Sequence, residues 1–167
     1  IFMKKNGLAL RSEATNGFTL VELIVVTGII LLFGAIIFPN FNLGEKNLAL
    51  ERSAAKLVQD LSRAREMAMS GGAYGMKFEI NSSDYILFVD LDNNQIFDSN
   101  EAIETSSLEK GVKISGLSPA SPLAITFTPP DPITNINPPA SLASITLAND
   151  SRIKNIRVNK AGLINIE

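Results

Sequence analysis

Gly17-Phe18-Thr19-Leu20-Val21-Glu22-Leu23-Ile24-Val25-Val26 opens the run that decides how this chain is built. From Phe18 to Phe38 there are 21 residues and one charged side chain, Glu22. At about 1.5 Å of rise per residue such a run makes about 30 Å of helix, the thickness of a bilayer's hydrocarbon core. The pattern predicts a transmembrane helix over residues 18–39. Glu22 is oddly placed within it. An ionised carboxylate in the middle of an insertion segment costs roughly 2.5–3.5 kcal/mol, so a carboxylate kept there wants a partner and a task.

Ahead of the run lies a short polar leader with Lys4, Lys5 and Arg11, ending at Asn16-Gly17. It reads as the positive region of an export signal, and Ile1-Phe2 before Met3 reads as an upstream extension of the reading frame. In an ordinary secretory signal the cut follows the apolar run. Here the cut is expected before it, which leaves the run on the mature protein. Cleavage after Gly17 also frees an α-amino group on Phe18, four residues from Glu22 and on the same helix face. Amine and carboxylate could then neutralise each other, within one chain or between neighbours.

A basic leader followed by GFTLVELIVV resembles the class III signal of type IV pilins and type II secretion pseudopilins. The resemblance implies that a prepilin peptidase cuts between Gly17 and Phe18 and methylates the new terminus. It further implies that Glu22 pairs with the Phe18 amine of an adjacent pilin or pseudopilin subunit in a filament, built on an inner-membrane assembly platform. Pro39 lacks an N–H, so the helix loses its bond to the Ala35 carbonyl and is expected to kink or unwind there. Pilin-like helices share a proline at the corresponding place. Pro39 could also simply end a membrane segment, and an ordinary membrane anchor could carry the same glutamate.

The chain has 167 residues, about one domain's worth, and 46% of them are apolar. Setting residues 1–17 aside removes Lys4, Lys5, Arg11 and Glu13, leaving 12 basic residues against 16 acidic. No nucleic-acid footprint is indicated, since that needs a basic patch. Arg152, Lys154, Arg157 and Lys160 could form a local one, or stand as solvated positions on two strands. There is no Cys and no His. Disulfides, thiolate nucleophiles, Cys/His zinc sites and Ser-His catalysis are therefore excluded. An exported domain of this composition must rest on its core, or on a hard cation held by oxygen.

From Glu45 the pattern turns amphipathic. Leu50, Ala54, Leu57, Leu61, Ala64 and Ala68 recur at spacings of three or four, with charged residues on the other faces. The spacing predicts an amphipathic helix over residues 40–70, ended by Ser70-Gly71-Gly72. About seven strands follow in residues 71–167: Ala73–Ile80, Tyr85–Val89, 111–115, Leu123–Thr128, 144–148, 153–158 and 163–166. Seven of the eight prolines lie between Pro119 and Pro139, which predicts mostly irregular loop there around one strand. The expected class is α+β, a long N-terminal helix packed on a small antiparallel β-sheet domain. LVQDLSRAREMAMSGGAYGMKFEI, YILFVDLDNN, ITFTPP and IRVNKAGLINIE are similar to the GspH/FimT group of minor pseudopilins, which shares the pair matched by Ala64 and Arg65 and a closing strand pair around a glycine, here Gly162.

Asp90, Asp92, Asn94, Ile96, Asp98 and Glu101 occupy positions 1, 3, 5, 7, 9 and 12 of a twelve-residue window. That is the oxygen-ligand spacing of a calcium loop, with Ile96 offering its carbonyl. Gln95 stands where such a loop needs glycine, and the flanks read as strand, so a solvated polar turn competes with a Ca2+ site. Ser53-Ala54-Ala55-Lys56 matches the S-x-x-K of serine acylases, but its companion motifs are missing and both residues are expected on the polar side of the helix. The reading is a non-enzymatic filament subunit, minor rather than major. The rivals are a membrane-anchored binding module, for calcium or another ligand, and a surface hydrolase.

Overall fold

The computed structural model describes residues 17–129 and 133–167; the side chains of residues 37–43 are outside that description. The chain divides into two compact units, Ile1–Asn40 and Phe41–Glu167. The expected leader, apart from Gly17, falls outside the described residues.

Helix α1 is assigned from Leu20 to Met69, 50 residues. Thr19 starts it, its hydroxyl accepting the Glu22 N–H at 3.2 Å, which satisfies one amide of the open first turn. In the first unit every residue from Gly17 to Phe33 is exposed. Among the described residues no helix is long and apolar enough to cross a membrane. The apolar run reaches Phe38 in sequence, but its last side chains are outside the description. The helix assignment continues through Pro39 without a break, and the kink expected there falls on residues whose side chains are not described.

In the second unit α1 has one buried stripe. Leu50, Ala54, Leu57, Leu61, Ala64 and Ala68 are all buried, as their spacing predicts. Gly71 and Gly72 then take φ of +112° and +117°, a left-handed turn that ends the helix and that glycine adopts without a Cβ clash. Nine strands follow among the described residues: β1 Ala73–Phe78, β2 Asp84–Asp90, β3 Ala102–Ser107, β4 Lys113–Ser118, β5 Leu123–Thr128, β6 Ile133–Asn137, β7 Leu142–Ala148, β8 Ile153–Asn159 and β9 Ile164–Ile166. They form two antiparallel sheets, ordered β3-β2-β1-β5-β6 and β4-β7-β8-β9. The helix stripe, Phe78, Tyr85, Ile125 and Phe127 from the first sheet, and Ile145, Ile156 and Val158 from the second make one core.

The sequence expectation of about seven strands in a small antiparallel β-sheet domain is thus corrected to nine strands, in two sheets, among the described residues. The additional strands are β3 and β6, both at sheet edges. β3 is exposed along nearly its whole length, so Ala-Ile-Glu-Thr-Ser-Ser shows no alternation to read. β6 lies inside the proline-rich segment taken for loop; as an edge strand it needs only one row of backbone partners, and β5 supplies them. β4 also runs later than expected, with an irregularity between Ile114 and Gly116 that shifts its register against β7.

Candidate functional site

Two regions carry the residues singled out by sequence. The first is the start of α1. Gly17, Phe18 and Thr19 have no regular structure, and Phe18 is 82% exposed. The Gly17–Phe18 peptide bond therefore stands in open chain immediately before the helix. Glu22 is the acidic residue of the first turn, where the helix dipole favours negative charge. An amine at Phe18 would add a positive charge at that same end, so a nearby carboxylate offsets an unfavourable term as well as its own.

The second region is the loop after β2. Its carboxylates turn inward on the loop's own amides. Asp90 accepts the N–H groups of Asn94 and Gln95, both at 3.0 Å, and Asp92 accepts the Asn94 N–H at 3.1 Å. Glu101 accepts from Leu91 at 2.8 Å and from Asp98 at 3.0 Å, one amide per oxygen. Asp90 and Glu101 are almost fully buried, at 3% and 2% exposure. Burial pushes the Asp90 carboxyl up from its ordinary value, and the two amides only partly offset this.

One oxygen each from Asp90, Asp92 and Glu101 lie within 4.8 Å of one another. Asp98 is not among them; its carboxylate accepts the Asn94 side-chain amide at 3.4 Å. Asn94 Oδ1 is engaged by the Ile96 N–H at 2.6 Å. Gln95, which seemed to break the calcium pattern, has φ +64°, the left-handed conformation a glycine would supply there. The backbone of the loop thus follows the expected turn without the expected residue. Three of the four carboxylates in the pattern, those of Asp90, Asp92 and Glu101, converge.

What holds this loop down was not foreseen. Phe97 reaches back over the outer face of the first sheet, its ring edge-on to Phe88 with centroids 5.5 Å apart, and Lys77 Nζ sits 4.7 Å from the Phe97 centroid. Gly75, paired with both Phe88 and Thr126, makes room: a Cβ there would lie 2.5 Å from the Phe88 ring. The first sheet is therefore covered on both faces under the loop, and all of β5 from Leu123 to Phe127 is buried. The available signal was Gly75 in mid-strand, which marks a close approach. Nothing in the sequence said that Phe97, in a polar turn, was the group approaching from above.

The profile of the family described as type II transport protein GspH matches residues 53–162. The chain belongs to the GspH family. Its fold is shared by the type IV minor pilin FimU of Pseudomonas aeruginosa in two crystal forms. One form is 17% identical, with 74% of this chain and 90% of that chain covered and a TM-score of 0.53. The other is 16% identical, covering 71% and 92%, with a TM-score of 0.50. No curated protein gives a significant match. The family is described as a type II transport protein, and the fold is that of a type IV minor pilin.

In this GspH-family chain Arg65 and Gly162 meet. Arg65 Nη1 donates to the Gly162 carbonyl at 3.2 Å, and Gly162 has φ +74°. A Cβ at 162 would stand 3.1 Å from both Arg65 Nε and Thr134 Oγ1. Helix, β6 and the β8–β9 turn are thereby joined at one point, where a side chain at 162 would be both strained and crowded.

Ser53 does not lie on the polar side of the helix as expected. It is buried, and its hydroxyl accepts the Glu109 N–H at 3.0 Å, while Lys56 reaches the Ser107 carbonyl at 3.0 Å. The hydroxyl and the amine serve separate backbone groups and are no catalytic pair. The basic residues near the end of the chain do not form one face either. Lys154 pairs with Glu51 on the helix at 3.0 Å and Arg157 with Glu167 at 2.9 Å; three positions apart on a strand, they point to opposite sides.

Proposed function

We propose that this chain is a filament subunit, a minor pilin or pseudopilin, cut after Gly17, methylated on Phe18 by a prepilin peptidase and assembled through the first half of α1. The observation that carries this is the start of the helix: an open Gly17–Phe18 bond, Glu22 in the first turn, and a run of exposed apolar side chains behind it. In the proposed arrangement residues 1–17 are leader, 18–39 span the cytoplasmic membrane once, and 40–70 with 71–167 form the domain on its outer side.

Assembly then exchanges one apolar solvent for another. Side chains from Leu20 to Ile36 leave lipid and pack among sister helices, with Thr27, Gly28 and Gly34 allowing close approach. Thr27 already returns its hydroxyl to the Leu23 and Ile24 carbonyls at 2.9 and 3.0 Å, so it carries no unsatisfied donor into that contact. Glu22 is the one charge that must be neutralised, and the Phe18 amine of a neighbour is the group of opposite sign. The platform in the inner membrane supplies the extraction step.

Mass spectrometry of the mature N-terminus tests the processing: a methylated Phe18 is expected, and an intact leader refutes it. Glu22→Ala tests the assembly. The variant is expected to be cut and to keep its folded β domain but to be missing from filaments; normal incorporation refutes the pairing. A second reading, a divalent cation on Asp90, Asp92 and Glu101, is favoured by the left-handed Gln95. Calorimetric titration with calcium decides it, since heat that disappears in Asp92→Asn is expected and no heat refutes it.

A further inference from the structure

The sequence holds two Asn-x-Ser triplets, Asn81-Ser82-Ser83 and Asn149-Asp150-Ser151. Such a triplet is the acceptor signal for N-linked glycosylation of an exported chain, with the asparagine amide as the group modified. Tertiary structure separates the two. The Asn149 side chain is fully engaged: Nδ2 donates to the Lys46 carbonyl at 2.7 Å, and Oδ1 accepts the N–H groups of Ser151 at 2.9 Å and Arg152 at 2.7 Å. A sugar on Nδ2 would have to break the bond that ties this turn to the helix.

Asn81 is the reverse case. It sits at the tip of the β1–β2 turn, exposed, and among the described residues its side chain has no hydrogen-bond partner. The turn itself is fixed by backbone bonds, Asn81 N–H to the Ile114 carbonyl at 2.8 Å and Ile114 N–H to the Ser82 carbonyl at 2.9 Å. A modified side chain therefore leaves the fold's bonds intact. The hydroxyls divide in the same way. Ser82, the middle residue, exchanges bonds with Asp84 at 2.8 and 2.9 Å, while Ser83, the residue the signal requires, is exposed and free among the described residues.

We infer that Asn81 is an N-glycan acceptor, loaded from a lipid-linked oligosaccharide pyrophosphate. In the step, Nδ2 of Asn81 attacks the anomeric carbon; a C–N bond forms, the C–O bond to pyrophosphate breaks, Nδ2 gives one proton to a base of the transferase, and lipid pyrophosphate leaves. No oxidant or reductant is needed. The inference rests on the reading above that the β domain lies outside the cytoplasmic membrane.

The test exports the full chain in bacterial cells that carry an N-oligosaccharyltransferase and its lipid-linked donor. Glycopeptide mass spectrometry reads occupancy, and protease added to spheroplasts reads export. The expected result is one glycan on Asn81, none on Asn149, loss of the glycan in Ser83→Ala, and no change in Ser151→Ala. The Ser83→Ala chain keeps Asn81 and its turn, so its loss of signal is not a folding failure. An unmodified Asn81 on a protease-sensitive domain overturns this inference alone. A domain that protease cannot reach overturns it together with the proposed topology.

Discussion

Gly75→Ala is the sharpest perturbation of the region that seats the acidic loop. The new Cβ would lie 2.5 and 2.7 Å from two Phe88 ring carbons and 2.9 Å from Thr126 Oγ1, where carbon contacts settle at about 3.5–4.0 Å. The ring has little room to retreat, because it is fully buried and Phe97 abuts it. Strand 1 cannot retreat either, being bonded to β2 on one side and β5 on the other. Overpacking of a filled site costs about 1–3 kcal/mol, and the rigid neighbours place this one near the top of that range. Replacing glycine returns roughly 0.5–1 kcal/mol through the unfolded chain, leaving a net loss of about 2 kcal/mol. For a domain of this size that lowers Tm by roughly 8 °C. Calorimetry of the detergent-solubilised chain reads the shift. Hydrogen exchange of the Asn94 and Gln95 amides, both bonded to Asp90, is expected to quicken as the loop loosens. Phe88→Leu in the same chain should recover about 1 kcal/mol or more relative to additivity, because the shorter side chain frees the space. A Gly75→Ala variant within about 0.5 kcal/mol of the parent, or strictly additive losses, would refute the account of how the loop is held.

Gln95→Gly is expected to stabilise the domain by about 1 kcal/mol, since it removes a side chain from a left-handed backbone; urea unfolding that shows a loss would refute it. Glu101→Gln leaves one of the two amides that its buried carboxylate holds, those of Leu91 and Asp98, without a charged oxygen acceptor, for a loss of about 2 kcal/mol in the same assay. Burial, then the hydrogen bond to Asp60, raises the Tyr85 pKa above its ordinary 10.0. A raised folded pKa gives stability that is whole below the unfolded value and is lost as pH rises beyond it. The parent is therefore expected to weaken above about pH 10 more steeply than Tyr85→Phe in denaturant titrations, and parallel curves would refute the burial of that phenol.

The class of this protein was legible because its signals are local. A helix stripe repeats every three or four residues whatever lies opposite, and Leu50 through Ala68 could be assigned to the core from spacing alone. Glycines stop the helix where the chain itself must turn left-handed. The expected leader, the Gly17–Phe18 junction and Glu22 are contiguous in sequence, so the proposal built on them needed no fold. The edge strands β3 and β6, the division into two sheets and the burial of Ser53 depended on which surfaces came together, and exposed strands or polar core positions leave no period in a sequence. The acidic loop shows the boundary most clearly. Spacing placed six oxygen donors in order, but only packing brought Asp90, Asp92 and Glu101 together, put Gln95 into a glycine's conformation and laid Phe97 across the sheet. Backbone dihedrals and side-chain burial at such a turn are set by neighbours far away in the chain, here Gly75, Lys77 and Phe88. Sequence determined which residues were available, and only tertiary contact decided which of them met.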